Sequence, residues 1–245
     1  ALTLPDAAWR HRPGLEELAR VLGAGEARFV GGAVRDTLIG LEVADVDIAT
    51  RHPPERVVDL LEAARIKAVP TGFAHGTVTA VTAGGPIEIT TLRRDLATDG
   101  RHASVAFTDD WRADAARRDF TINALYADPA TGEVFDLFGG VDDLVARRVR
   151  FIGDPYTRIA EDHLRILRFF RFLARFGDTP DASALAACVA RANDLMALSR
   201  ERIRDELLKL LVAERAVAVV RLMVAHDVLK PVLPEVGDAG VTRLA

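Results

Sequence analysis

Asp45 and Asp47, separated by Val46 and followed by Ile48, are the residues of this chain best suited to phosphoryl chemistry. On an extended backbone the two carboxylates point to one face and the apolar pair to the other, about 7 Å apart along the rise. Like charges held together are costly unless cations neutralise them. Two Mg²⁺ ions about 3.5–4 Å apart would do so, activating an attacking hydroxyl and stabilising a pyrophosphate leaving group in an in-line displacement. A lone DxD also describes the solvated end of a strand or a turn. Glu88, flanked by Ile87 and Ile89, offers a third carboxylate if its strand alternates and turns the isoleucines to the core.

Upstream, Phe29-Val30-Gly31-Gly32-Ala33-Val34-Arg35-Asp36 reads as a strand that ends in two glycines and enters a helix. Bare backbone N–H groups, a positive helix start and Arg35 one turn in could cradle a triphosphate. The same pattern serves as plain connection chemistry. Further along, Asp162 and Arg165 sit at i and i+3, which on one helical face sets an acceptor beside a forked donor. Such a pair can mimic the Watson–Crick edge of a base. A solvated amphipathic helix, with Leu164, Ile166, Leu167, Phe169, Phe170 and Leu173 as its core side, is compatible with that reading, and Phe169, Phe170 and Phe172 read as packing.

The elements that must hold these groups change in texture near residue 140. Before it, strand patterns at Arg28–Val30, Asp45–Ala49, Ile66–Val69, Thr77–Thr82, Ile87–Leu92 and Val134–Leu137 alternate with helical ones. Gly84-Gly85-Pro86 is a hairpin signal, and Pro53-Pro54 starts a helix that buries Val57, Val58, Leu61 and Ala64. After about residue 156 only helical spacing remains. The expected organisation is an α+β head over 1–140 and an all-helical neck and partial body over 141–245.

The chain of 245 residues carries a net charge of −4, which is awkward for a partner rich in phosphates. Eight arginines nevertheless fall between Arg147 and Arg175 against Asp154, Glu161 and Asp162, so positive charge is gathered in one segment. No apolar run is long enough for a membrane span. A single cysteine, Cys188, has no disulfide or zinc companion, which suits a reducing cytoplasm and a buried structural thiol.

Four stretches in order carry a resemblance. They are Gly31-Gly32-Ala33-Val34-Arg35-Asp36 with Asp45-x-Asp47, Glu88-Ile89-Thr90-Thr91-Leu92-Arg93, Arg117-Arg118-Asp119-Phe120-Thr121-Ile122-Asn123-Ala124, and Glu161-Asp162-His163-Leu164-Arg165-Ile166-Leu167-Arg168. From about Phe29 to about Leu211 the chain resembles the class II tRNA nucleotidyltransferase and bacterial poly(A) polymerase family. The resemblance implies a polymerase β-like nucleotidyltransferase head, and addition of CMP and AMP from CTP and ATP to the 3′ end of tRNA. It implies Asp45 and Asp47 as ligands of two Mg²⁺ ions with Glu88 as third carboxylate, and Gly31, Gly32 and Arg35 at the triphosphate. It further implies Arg118, Asp119 and Asn123 at the nucleotide and its 2′-hydroxyl, a contact that separates ribonucleotides from deoxyribonucleotides. Asp162 and Arg165 would select C and A, with Arg168 and Arg171 continuing round a curved groove towards the triphosphate.

Three more stretches are similar to family features. Gly139-Gly140-Val141-Asp142-Asp143-Leu144 resembles a hinge, Asp99-Gly100-Arg101-His102 a mobile loop, and Ser199-Arg200-Glu201-Arg202-Ile203 with Glu206 and Lys209 a helix near the primer end. A capped helix with ion pairs explains the last as well. Gly72-Phe73, lacking the basic residue typical of poly(A) polymerases after the glycine, favours the CCA-adding branch. The stop at Ala245, without the tRNA-gripping helical tail of the family, reads as a truncation. Poly(A) synthesis and a non-catalytic nucleotide- or RNA-binding module are the rival readings; a dinucleotide-binding fold is disfavoured because Gly31-Gly32 lacks GxGxxG spacing.

Overall fold

The computed structural model describes residues 1–98, 103–237 and 240–241. The chain forms two compact units: Ala1–Asp95 with Val105–Arg118 and Ile122–Val141, and Leu96–Ser104 with Asp119–Thr121 and Asp142–Ala245. Asp99-Gly100-Arg101-His102, the loop singled out in the sequence, lies outside the described residues.

The first unit is α+β. Helix α1 (Leu15–Leu22) turns Leu15, Leu18 and Leu22 inward at helical spacing and stops at Gly23, whose φ of 97° favours glycine. Strand β1 (Ala27–Val30) leads into α2 (Gly32–Leu38), and β2 (Asp47–Thr50) into α3 (Pro54–Ala63), where Pro54 occupies the first turn and Val57 and Leu61 face the core. Strands β3 (Lys67–Gly72), β4 (Thr77–Thr82) and β5 (Gly85–Thr91) form a meander. A ribbon of β6 (Arg93–Thr98) and β7 (Ala103–Phe107), of which Leu96–Ser104 is assigned to the second unit, precedes α4 (Trp111–Ala116), β8 (Leu125–Ala127) and β9 (Val134–Asp136).

Seven of these strands make one mixed sheet in the order β3-β4-β5-β2-β1-β8-β9. Among the described residues only β2 and β5 pair in parallel; the crossover between them contains α3, as a parallel pair requires. Their register sets Asp47 beside Glu88 and Ile48 beside Ile89. Ile48, Ile87 and Ile89 are fully buried, so a slip of one residue would turn both carboxylates into the core.

The sequence reading starts the second strand at Asp45, but the ladder begins at Asp47. The Arg12 guanidinium donates to the carbonyls of Val43 at 3.2 Å and Ala44 at 3.0 Å, and Val43 and Val46 are buried. The approach to Asp45 is thus tied down by a side chain instead of a neighbouring strand. The charged ribbon β6–β7 and the three-residue β8 carry too little period-2 pattern to be read as strands.

In the second unit α5 (Gly140–Val145), which begins at the boundary, is followed by α6 (Pro155–Glu161), α7 (Arg165–Phe176), α8 (Ala182–Ala190), α9 (Arg200–Leu211) and α10 (Ala216–Ala225). Phe120, Phe151, Phe169 and Phe172 form its aromatic core, with Phe120 4.9 Å from Phe151 and 5.2 Å from Phe172 between ring centres. These rings are packed, not exposed platforms. Cys188 is buried, and burial pushes its thiol up, as expected of an inert residue. No helix among the described residues is long and apolar enough to cross a membrane.

Asp143 anchors the start of this unit. Its fully buried carboxylate accepts from Thr121 Oγ1 at 2.6 Å, Arg148 Nε at 2.8 Å and Arg150 Nε at 2.9 Å. Removing the carboxylate leaves the Thr121 hydroxyl without its acceptor and two half-exposed arginines, which water can still solvate, without their counter-charge. Asp143→Ala is therefore expected to lower stability by about 2 kcal/mol, read as a lower urea midpoint by circular dichroism.

Candidate active site

Within the first unit, Asp47 and Glu88 stand side by side at the solvent-facing start of the β2–β5 pair. Their Cα positions face one another across a strand spacing of about 4.8 Å. Asp45 is exposed in the loop just before. Burial, then the charges of Glu88 and Asp45, raise the Asp47 carboxyl above its ordinary range, while Arg118 pulls it down. Three acidic groups acting on one another present hard oxygen donors of the kind that bind divalent cations. As the side chains stand, no three acidic, histidine or cysteine groups among the described residues are gathered into a finished metal set. The donor chemistry fits a divalent ion; closing round it requires rotation of side chains.

The glycine turn borders this edge. Gly31 has φ 69° and ψ −123°, a conformation open to glycine and strained for other residues. A Cβ there would lie 3.8 Å from the Asn123 carbonyl and 3.9 Å from Arg118 Nη1, and one on Gly32 would lie 3.5 Å from Arg35 Nη2. Gly31, Gly32, Arg35, Arg118 and Asn123 are therefore brought together. Arg35 is buried, donating to Asp36 Oδ1 at 2.8 Å and Asn123 Oδ1 at 2.5 Å, so it braces Asn123 as well as edging the turn.

Arg118 lies just past α4, which ends at Ala116, and is aimed by two residues the sequence reading passed over. Its Nε donates to Tyr126 Oη at 3.2 Å and its Nη2 to Asp114 Oδ2 at 3.1 Å, while the Tyr126 hydroxyl donates to the same Asp114 oxygen at 2.7 Å. Burial opposes the charge on Asp114, yet Arg118, the Tyr126 hydroxyl and the Arg93 amide outweigh it and hold the carboxyl below its usual range. Asp114 stands four residues before Arg118, an opposite-charge spacing that the sequence does display.

The remaining candidates belong to the second unit. Asp119 accepts from Arg168 Nε at 2.7 Å and is buried. Asp162 and Arg165 are not on one helical face: α6 ends at Glu161, Asp162 has extended backbone, and α7 begins at Arg165. The break is closed by the Arg165 amide donating to the Asp162 carbonyl at 3.1 Å and the Leu164 amide donating to its carboxylate at 3.1 Å. Arg165 Nη1 donates to Glu161 Oε2 at 2.5 Å and to the Arg158 carbonyl at 2.9 Å. Arg171 forms an ion pair of 2.6 Å with Glu206, a carboxylate 5% exposed and visible in the sequence only as part of a capped helix.

The hinge-like stretch is firmly made at its start, where the Asp136 carboxylate accepts from the amides of Gly140 at 2.8 Å and Val141 at 2.9 Å.

Residues 27–150 match the poly A polymerase head domain, and residues 179–239 match the probable RNA and SrmB-binding site of polymerase A. The chain is 44% identical over 207 residues to the human mitochondrial CCA tRNA nucleotidyltransferase 1, covering 83% of this chain and 48% of that protein. It is 42% identical over 214 residues to a CCA-adding enzyme of Levilactobacillus brevis, covering 86% of this chain and 52% of that one. The chain thus spans about half the length of the curated relatives it matches. The Bacillus stearothermophilus CCA-adding enzyme, solved in complex with CTP, superposes with a TM-score of 0.76 at 36% identity, covering 86% of this chain and 51% of that one. The Thermotoga maritima CCA-adding enzyme, solved with tRNA, does so at 0.75 with 26% identity, covering 96% and 57%. The chain belongs to the poly A polymerase head domain family, among relatives that are CCA tRNA nucleotidyltransferases and CCA-adding enzymes.

Proposed function

We propose that this chain adds C, C and A to the 3′ end of tRNA, taking CMP and AMP from CTP and ATP and releasing pyrophosphate. The observation that carries the reading is the parallel register of Asp47 with Glu88, with Asp45 and Arg118 close enough to shift the Asp47 carboxyl. The names of the relatives and the CTP and tRNA complexes of structural neighbours support the substrate class.

In this reading Asp45 and Asp47 would hold two Mg²⁺ ions, with Glu88 as the third carboxylate, and the ions would supply Lewis acidity to the attacking hydroxyl and the leaving pyrophosphate. The 3′-hydroxyl oxygen forms a bond to the α-phosphorus of the nucleotide, the bond to the bridging oxygen breaks, and the hydroxyl proton is released. Gly31 and Gly32 let backbone N–H groups approach the triphosphate, and Arg118, aimed by Asp114 and Tyr126, balances its charge. Asn123, braced by Arg35, and Asp119, held by Arg168, contact the nucleotide and its 2′-hydroxyl. Asp162 and Arg165 read the base, with Arg168 and Arg171 extending the positive side of that groove. A buried lone thiol suits a reducing compartment such as the cytoplasm.

A gel assay of tRNA lacking CCA tests the reading. Two additions with CTP alone and a third only when ATP is also present are expected; a long ladder with ATP alone would identify a poly(A) polymerase, and no extension would remove catalysis by this chain.

Asp47→Asn should reduce incorporation by at least about 1000-fold. The same substitution should raise the Tm of the metal-free protein by about 1–2 °C. The sign follows from the raised carboxyl: a group harder to ionise when folded costs stability as pH climbs from its unfolded value through its folded one, and asparagine removes that cost. Melting curves at pH 7.5 with EDTA check it, and a lower Tm would contradict the repulsion.

Arg165→Ala should narrow the preference for CTP over UTP more than it slows CTP incorporation. Equal loss with all four nucleotides would remove its base-reading role.

A further inference from the structure

Helix α9 grips the polar groups that flank the break between α6 and α7. Arg202 Nη2 donates to both oxygens of Asp162, at 2.9 and 3.2 Å. One turn further on, Glu206 meets Arg171 Nε at 2.6 Å and Arg168 Nη1 at 3.7 Å. The cap supports this placement: Ser199 Oγ accepts from the Arg202 amide at 3.3 Å, fixing the turn from which Arg202 projects. Helix propensity does not orient Asp162, which has φ −151° and ψ 110° and lies outside both helices. Its side chain is held by the Leu164 amide at 3.1 Å and by Arg202.

An ionised carboxylate has about four acceptor positions. The amide and the two Arg202 contacts use three, which leaves about one for a ligand on a side chain that is partly exposed. Cytosine and adenine carry an exocyclic amino donor where uracil and guanine carry a carbonyl. A carboxylate fixed with one acceptor outward accepts from the first pair and repels the second. A freely rotating one, free to turn either face of its oxygens to the base, discriminates less.

We propose that Arg202 is a positioning residue for base choice, holding Asp162 with an acceptor turned to the exocyclic amino group of C or A. This rests on the base-reading role of Asp162 proposed above. Arg202 does not itself touch the nucleotide. Its contribution is to the ratio between correct and incorrect nucleotides. An exposed ion pair with no such duty would leave that ratio unchanged.

The test is calorimetric binding of CTP and of UTP, each with Mg²⁺, to the unsubstituted chain, Arg202→Ala and Arg202→Lys, alongside incorporation with the same two nucleotides. The Kd ratio of UTP to CTP is expected to fall about tenfold in Arg202→Ala, the size of one lost hydrogen bond to a charged group. Arg202→Lys should recover part of it, because both contacts come from the single Nη2 and an ammonium keeps a charged donor on a shorter reach. Circular dichroism establishes that each variant is folded, and if Arg202→Ala is not, the intermediate ratio of Arg202→Lys carries the test. A ratio unchanged in both variants, or affinity for both nucleotides falling together, overturns the proposal, as does equal binding of the two by the unsubstituted chain. Absence of incorporation by the unsubstituted chain, with the binding ratio present there and lost in Arg202→Ala, would sink the proposed activity and leave this assignment standing.

Discussion

Asp47 and Glu88 lie in register on the single parallel strand pair of an otherwise antiparallel sheet, and most of the first unit can be understood as holding that unfavourable contact in place. Two carboxylates at strand spacing repel, and solvent at the exposed edge screens them only in part. What fixes them is the opposite side of the same strands, where Ile48, Ile87 and Ile89 are buried and tie the register to the core. The parallel pairing itself depends on the long crossover through α3. Arg12 completes the frame by clasping the carbonyls that precede Asp45. Apolar burial on one side of the strands thus keeps two repelling carboxylates together on the other.

Polar groups in the second unit follow the opposite rule, since its charges are matched. Asp143, Asp119, Glu161 and Glu206 are all buried, and each carries an arginine partner. A buried carboxylate without such a partner would cost several kcal/mol. The arginine-rich segment that looks, in sequence, like a free positive field is largely consumed by this pairing. A net charge of −4 is consistent with that economy.

Sequence periodicity revealed the strands that alternate strongly and the helices that bury one face, because burial writes itself into spacing. Thr77–Thr82 was legible to the residue. Alternation puts Asp45 on a strand because it cannot show that a distant arginine takes the backbone carbonyls of its approach. Asp162 and Arg165 were placed on one helix because i and i+3 spacing looks alike whether the helix runs on or breaks. The break shows only as an extended Asp162 between two helices. Asp114 and Tyr126 were missed for a different reason: they act through Arg118, and a residue that aims another leaves no chemical signature of its own.

These two arrangements imply different routes to activity. In the proposed function a cation at the acidic edge would relieve existing repulsion, so binding and stability would rise together. At Arg165 the guanidinium already has partners in Glu161 and the Arg158 carbonyl, so in its proposed base-reading role a base would have to share or replace contacts that are satisfied. The net gain from such an exchange is small compared with making a new hydrogen bond, which favours discrimination over tight holding. In that proposed role, a nucleotide with the wrong edge would displace a satisfied protein contact without replacing it, and selection would rest on that difference rather than on raw affinity.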